Sequence, residues 1–298
     1  PLTYDALGRV RTTTNSDGYI RTYSYDDFDR VTQIDYPDKK KKKISYNKLD
    51  RATFTDRMNR VTSYTYDAVQ QLTQVTDPLL RVIKTDWCRC GSLASITDPK
   101  GNITRWQRDI QGRVTAKINA DNSRVAYSYD SAGRMVMRTD EKGQNKLFDY
   151  FADDSVKQVS YPNAEVATAS VFYDYDTNYD RMTSMRDGIG TTLYGYHALT
   201  GGISPGAGSL SSLDGPFPDD TITFSYDALG RVVGRAVNGV GAQVSYDSLG
   251  RITNVTDALG VTTATFEGAT DRPSQIMRPN GVTTNFTYFD NGKDRRLS

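Results

Sequence analysis

Aromatic and small polar residues alternate in short runs along this chain. Tyr23-Ser24-Tyr25, Tyr64-Thr65-Tyr66, Tyr127-Ser128-Tyr129 and Phe224-Ser225-Tyr226 each set two rings two residues apart. A period of two puts both rings on one face of a β-strand and the hydroxyl residue on the other. Asp-x-x-Gly, or a variant of it, follows each run. A β-branched run comes next, as in Arg251-Ile252-Thr253-Asn254-Val255-Thr256. Asp at the first turn position accepts hydrogen bonds from nearby backbone N–H groups. Gly at the fourth tolerates the positive φ of a type I turn closing in a G1 bulge. A second turn ends the β-branched run, at Asp77-Pro78, Asp98-Pro99-Lys100-Gly101, Asp257-Ala258-Leu259-Gly260 or Pro279-Asn280-Gly281. The predicted unit is one β-hairpin plus the turn into the next.

That unit recurs. Tyr4-Asp5-Ala6-Leu7-Gly8-Arg9 returns as Tyr129-Asp130-Ser131-Ala132-Gly133-Arg134, as Tyr226-Asp227-Ala228-Leu229-Gly230-Arg231 and as Tyr246-Asp247-Ser248-Leu249-Gly250-Arg251. The column led by Tyr falls at 4, 25, 46, 66, 87, 108, 129, 150, 175, 196, 226, 246, 266 and 288, and most steps are 20 or 21 residues. Trp87, Arg108 and Phe266 are its only departures from Tyr. Helical repeats need roughly 33 to 47 residues, and no leucine ladder is present. A length of 298 residues alone would allow two domains of about 150. The repeat overrides that: one continuous segment, 1–298, of about 14 repeats is expected, all-β and nearly free of helix. A four-residue loop would set each Tyr opposite the Arg five positions on, Tyr4 facing Arg9, Tyr129 facing Arg134 and Tyr246 facing Arg251, with the Arg stacked on the ring.

Composition narrows the function classes. There are 37 basic and 36 acidic side chains, a net charge of +1, which argues against a nucleic-acid binder. One His makes His-based metal sites and Ser-His-Asp catalysis hard to build. Two Cys exclude a disulfide-stapled scaffold. No run of about 18 apolar residues occurs, so no membrane-spanning helix is expected. Residues repeated at fixed pitch, Tyr4, Asp5, Gly8, Arg9 and their counterparts, build the repeat. No catalytic, cofactor-binding or metal-ligating residue is assigned.

Tyr-Asp-x-x-Gly-Arg at this pitch, with Asp-Pro-x-Gly turns between, resembles the YD repeat of the RHS family. That family includes bacterial polymorphic toxins, the shells of insecticidal toxin complexes, and teneurins. The resemblance covers Tyr4 to Gly292. It implies tandem β-hairpins in a long, spiralling, curved sheet, part of a hollow shell. In toxin members the shell encloses a C-terminal toxic segment; in teneurins it is extracellular and adhesive. Secretion or a cell-surface location follows from the resemblance, as does a partner in the rest of the same polypeptide. The chain starts inside a repeat and stops at Arg295-Arg296-Leu297-Ser298 with no end cap, so it is expected to be a fragment of a longer protein. The family's Pro-rich lead into Asp-Pro-x-Gly-Leu is absent. Asp77-Pro78-Leu79-Leu80 is the nearest string and lacks the Gly, so no self-cleavage is assigned to Asp77.

Irregular stretches are weighed separately. Five lysines at 39–43 read as a solvated hairpin tip that keeps an edge from pairing, or as a polyanion patch. Cys88 and Cys90 flank Arg89 at a variant turn. They read as a thiol pair, as a tight redox bridge, or as ligands to a metal shared with a partner. His197 stands at an Asp position and reads as a turn residue with one hydrogen bond. Gly-, Ser- and Pro-rich sequence near 200–220 reads as an inserted loop, with a smaller insertion at Pro162-Asn163-Ala164-Glu165. Asp26-Asp27, Asp153-Asp154 and Asp219-Asp220 are adjacent residues, which on a strand point to opposite faces; the first two pairs lie in turns of the repeat, and turn chemistry explains the pairs without a glycosidase acid and base.

The expected function is a structural, non-enzymatic shell segment around a C-terminal toxin or effector. The alternatives are an extracellular adhesion or carbohydrate-binding module, with a sugar or other cell-surface partner, and a component of a surface filament or sheath.

Overall fold

The computed structural model describes residues 1–199 and 204–298. Part of the expected insertion, 200–203, lies outside the described residues. The fold is all-β: 27 antiparallel strands run from Leu2–Tyr4 to Thr283–Asn285, and within each of two compact units strands pair with their neighbours in sequence. A single 3₁₀ turn, Asn291–Lys293, is the sole helical element among the described residues. Strands of mostly five to seven residues follow from the alternation of rings and Thr or Ser, and a turn residue ends each one.

The chain forms two compact units. One comprises Pro1–Val125, Gly268–Thr270 and Phe286–Ser298; the other comprises Ala126–Glu267 and Asp271–Asn285. Within each, the sheet is a single layer. In the first unit Thr22 opposes Asp35 and Ser24 opposes Gln33 on one face, while Tyr23 opposes Ile34 on the other. In the second, Phe148 opposes Val159 on the apolar face and Asp149 opposes Gln158 on the polar one. With no second layer, few residues leave water. Among the described residues only Ala116, Val125 and Val159 are buried hydrophobics, and no large side chain is fully buried. Val31–Asp35, Leu72–Thr76 and Met135–Thr139 are half-buried at every position, on both faces alike. Cohesion therefore rests on ladder hydrogen bonds and cross-strand neighbours more than on a closed core.

The stretch expected as an inserted loop contains a regular strand. Leu210–Asp214 pairs with Thr191–Tyr196 on one side and Ile222–Tyr226 on the other. The extra residues instead enlarge the turn, since Tyr196 meets Leu210 where Tyr25 meets Val31. Gly206 packs against the Tyr226 side chain, where a Cβ would overlap its ring atoms.

Candidate functional site

The four aligned turns share one hydrogen-bond design. In the first, Asp5 N–H donates to Arg9 O (2.8 Å) and Gly8 N–H to Asp5 O (3.0 Å). One oxygen of the Asp5 carboxylate accepts from the N–H groups of Leu7 and Arg9, both at 2.9 Å, and the other accepts from Arg9 Nε at 2.8 Å. Asp227 and Asp247 repeat all three contacts with Leu229 and Arg231, and with Leu249 and Arg251. Asp130 accepts from Arg134 N–H at 2.9 Å and Nε at 2.8 Å. Backbone donation by the Arg is the largest cause that lowers Asp5, Asp227 and Asp247 below the ordinary carboxyl value. For Asp130 it is the Arg134 side chain. Gly8, Gly133, Gly230 and Gly250 all sit at φ between 75 and 87°, as the G1 bulge requires.

The same left-handed position is filled elsewhere by Asp29, Lys39, Asn59, Gln70, Leu80, Asn122 and Asp154. Turns between repeats use the design too. Asp98 accepts from Lys100 and Asn102 N–H, and Leu80 N–H donates to Asp77 O.

The expected Tyr–Arg pairing within a hairpin is overturned. Tyr4 opposes Val10, Tyr129 opposes Met135, Tyr226 opposes Val232 and Tyr246 opposes Ile252. The left-handed fourth residue is an extra one on the returning strand, so Arg faces Asp and the residue after Arg faces Tyr. Tyr46 opposite Arg51 differs because its hairpin closes through a two-residue loop, with Asn47 opposite Asp50.

Each Arg stacks instead on the column aromatic of the following repeat. Arg9 lies 4.8 Å from the Tyr25 ring centre, Arg134 4.9 Å from Tyr150, Arg231 4.3 Å from Tyr246 and Arg251 4.5 Å from Phe266. The column hydroxyl then reaches back across the joint. Tyr25 donates to Val10 O, Tyr150 to Met135 O and Tyr246 to Val232 O, at 2.7 to 2.8 Å. Two departures from Tyr keep this donation: Trp87 Nε1 bonds Leu72 O at 2.7 Å, and Arg108 Nη2 bonds Leu93 O at 3.3 Å. Arg9 and Arg134 also bridge to Asp29 and Asp154, each 2.8 Å away in the next turn. The column is thus an interlock between repeats, which the repeat pattern signalled without showing its partners.

The irregular residues resolve individually. Only Lys39 and Lys40 lie in a turn. Lys41 begins a strand, Lys41–Asn47, that is paired on both sides, so the run guards no edge. Cys88 and Cys90 are joined by a disulfide, in place of the thiol pair. His197 Nε2 donates one bond to Phe224 O (3.2 Å), and the ring meets that of Tyr226 edge-on. Asp26 is a first-position turn Asp, Asp153 accepts from Ser155, and Asp220 accepts from Phe217 N–H. No group of three or more His, Cys, Asp or Glu able to hold a metal occurs among the described residues.

One cluster in the first unit left no trace in the sequence. Arg57 bridges Asp38 at 2.6 Å and Asp294 at 2.7 Å, and Tyr19 donates to Asp294. Asn291 Nδ2 bonds Asp17 O at 3.1 Å. Burial, then the bond to Asp294, pushes the Tyr19 phenol up to about 12. Burial would raise Asp294, but its bonds from Arg57 and Tyr19 prevail and hold it low. Partners more than 230 positions apart carry no local signature.

Residues 4–41, 46–81, 91–123 and 111–144 match the family described as RHS Repeat. Those segments, all within residues 4–144, carry RHS repeats. The fold of the chain matches that of chains in solved structures. A crystal structure of TcdB2-TccC3-Cdc42 superposes with a TM-score of 0.79 over 99% of this chain at 16% identity, and a Photorhabdus luminescens Tc holotoxin pore with 0.76 at 15%. The chain spans 18% of each of those chains. It is also 24% identical over 154 residues to a protein named double-stranded DNA deaminase toxin A of Burkholderia cenocepacia (strain H111). That match spans 50% of this chain and 10% of the relative.

Proposed function

We propose that this RHS-repeat segment is a wall section of a shell that encloses a C-terminal toxin or effector in one longer polypeptide, and that it performs no catalysis itself. The carrying observation is the single-layer sheet, half-exposed on both faces and continued repeat after repeat by one interlock. A layer with no core of its own suits a partition that separates an interior from solvent. The recurring Asp, Arg and Tyr support a structural role, because their polar atoms are taken up by turn and interlock bonds. The likeness to Tc toxin structures and to a named toxin supports the same reading. The rest of the polypeptide is then the partner, and the site of action is secreted or at a cell surface. Tyr4, Asp5, Gly8 and Arg9, with their counterparts, define the repeat in a single continuous segment of a longer chain.

Limited proteolysis of the full-length parent tests this. Sequence downstream of the repeats should resist protease until the repeat sheet is opened. Cleavage of that sequence at the rate of a free polypeptide, with the repeats intact, would overturn the enclosure.

A further inference from the structure

The disulfide Cys88–Cys90 sits at the first and third positions of a turn built like its disulfide-free neighbours. Cys88 N–H donates to Ser92 O at 2.9 Å, Gly91 N–H to Cys88 O at 3.0 Å, and Gly91 has φ of 80°. The next turn has the same bonds, Asp98 N–H to Asn102 O and Gly101 N–H to Asp98 O, at 2.9 and 3.0 Å, with φ of 86° at Gly101. A bridge across one intervening residue closes a very small loop and removes little chain entropy. The fold therefore does not need this bridge.

Cys88 Sγ occupies the place of the turn carboxylate oxygen. It accepts from Cys90 N–H at 3.2 Å and Ser92 N–H at 3.4 Å, where Asp98 accepts from Lys100 and Asn102 at 2.8 and 2.9 Å. At Asp5, Asp26, Asp98, Asp227 and Asp247 that pair of N–H donors holds a carboxylate, and at Asn15 an amide oxygen. A sulfur in this position is set up to leave as a thiolate, since donors to a charged form favour it. Cys88 is half-buried, whereas Arg89 and Cys90 are exposed. The two sulfurs thus differ: one is open to attack, and the other is cradled for departure.

We propose that Cys88–Cys90 is a thiol–disulfide exchange site that takes a low-molecular-weight thiol. An external thiolate attacks Cys90 Sγ, a mixed disulfide forms there, and the Cys88–Cys90 bond breaks with its electron pair on Cys88. A second external thiolate attacks the external sulfur of the mixed disulfide and releases Cys90 as thiolate. Two external thiols are oxidised to one disulfide, and the cysteine pair gains two electrons and two protons. The exchange is stoichiometric and is independent of the shell reading.

The test uses the oxidised chain in glutathione buffers at pH 7, acid-quenched, alkylated and mapped by mass. The glutathione adduct should map to Cys90, and exchange should run at least tenfold faster than in a peptide spanning 86–93. A variant with Cys88→Asp and Cys90→Ser should melt with the parent, which would show the bridge to be dispensable. Exchange no faster than in the peptide, adduct divided equally between the sulfurs, or loss of hydrogen-exchange protection in Val82–Trp87 and Leu93–Thr97 on reduction would each overturn the proposal.

Discussion

Arg134 closes its own turn and serves the next repeat. It bonds Asp130 through Nε at 2.8 Å and lies 4.9 Å from the ring centre of Tyr150, whose hydroxyl donates to Met135 O beside Arg134. Turn chemistry and repeat-to-repeat cohesion therefore share one side chain. The phenol of Tyr150 is raised above its ordinary value, chiefly by burial. Phe266 is a natural comparison, stacked under Arg251 without a hydroxyl to donate.

Tyr150→Phe should keep the stack and lose the bond to Met135 O, and so destabilise by about 1 kcal/mol. Tyr150→Leu should cost about 0.5–1 kcal/mol more, because the cation–π contact goes too. Denaturant unfolding of both variants measures the difference. Equal losses would mean that the ring face contributes nothing.

Gly230 has φ of 75° and open space where a Cβ would stand, so a substitution there reports backbone strain alone. Gly230→Val should destabilise by about 1–2 kcal/mol. Gly230→Asn should cost clearly less, since Asn59 and Asn122 already occupy this turn position at φ of 60 and 66°. Thermal melts of the two variants check the order.

Turn carboxyls held low make the fold acid-sensitive. Asp130, Asp227 and Asp247 stay ionised in the hairpins where an unfolded chain already takes up protons. The unfolded state then binds more protons, so stability is present above the ordinary value of 3.8 and falls as pH drops below it. Melting temperature should be flat from pH 7 to 5 and fall steeply toward pH 2. Replacing the three with Asn should lower it at pH 7 and flatten the acid limb.

Tyr19 should ionise near pH 12, seen as a late phase in ultraviolet titration that Tyr19→Phe removes. A raised phenol lends stability that is whole below the ordinary value of 10 and lost as pH climbs through about 12. Asp294→Asn should move that phase part of the way back toward 10 and speed hydrogen exchange at Lys293 and Asp294. An unmoved phase would separate Tyr19 from Asp294.

The hairpin, the pitch, the turns at 5–8, 130–133, 227–230 and 247–250, and the all-β class are legible in the residues alone. Those features rest on contacts within about five residues and on the period of two, which Asp, Gly and alternating rings report directly. The register and the partners follow from the folded chain. One extra residue in the left-handed conformation shifts the strand by a position, so Arg9 leaves Tyr4 and meets Tyr25. A pattern of residue types shows that Tyr and Arg recur together but does not show which repeat's Arg a given Tyr holds. The strand Leu210–Asp214 lay hidden for the same reason: its pairing with Thr191–Tyr196 and Ile222–Tyr226 overrides weak local preference in Leu-Ser-Ser-Leu-Asp. The ties of Arg57 and Tyr19 to Asp294 were beyond any local reading, because charges so far apart in the chain meet only when the folded backbone brings them together.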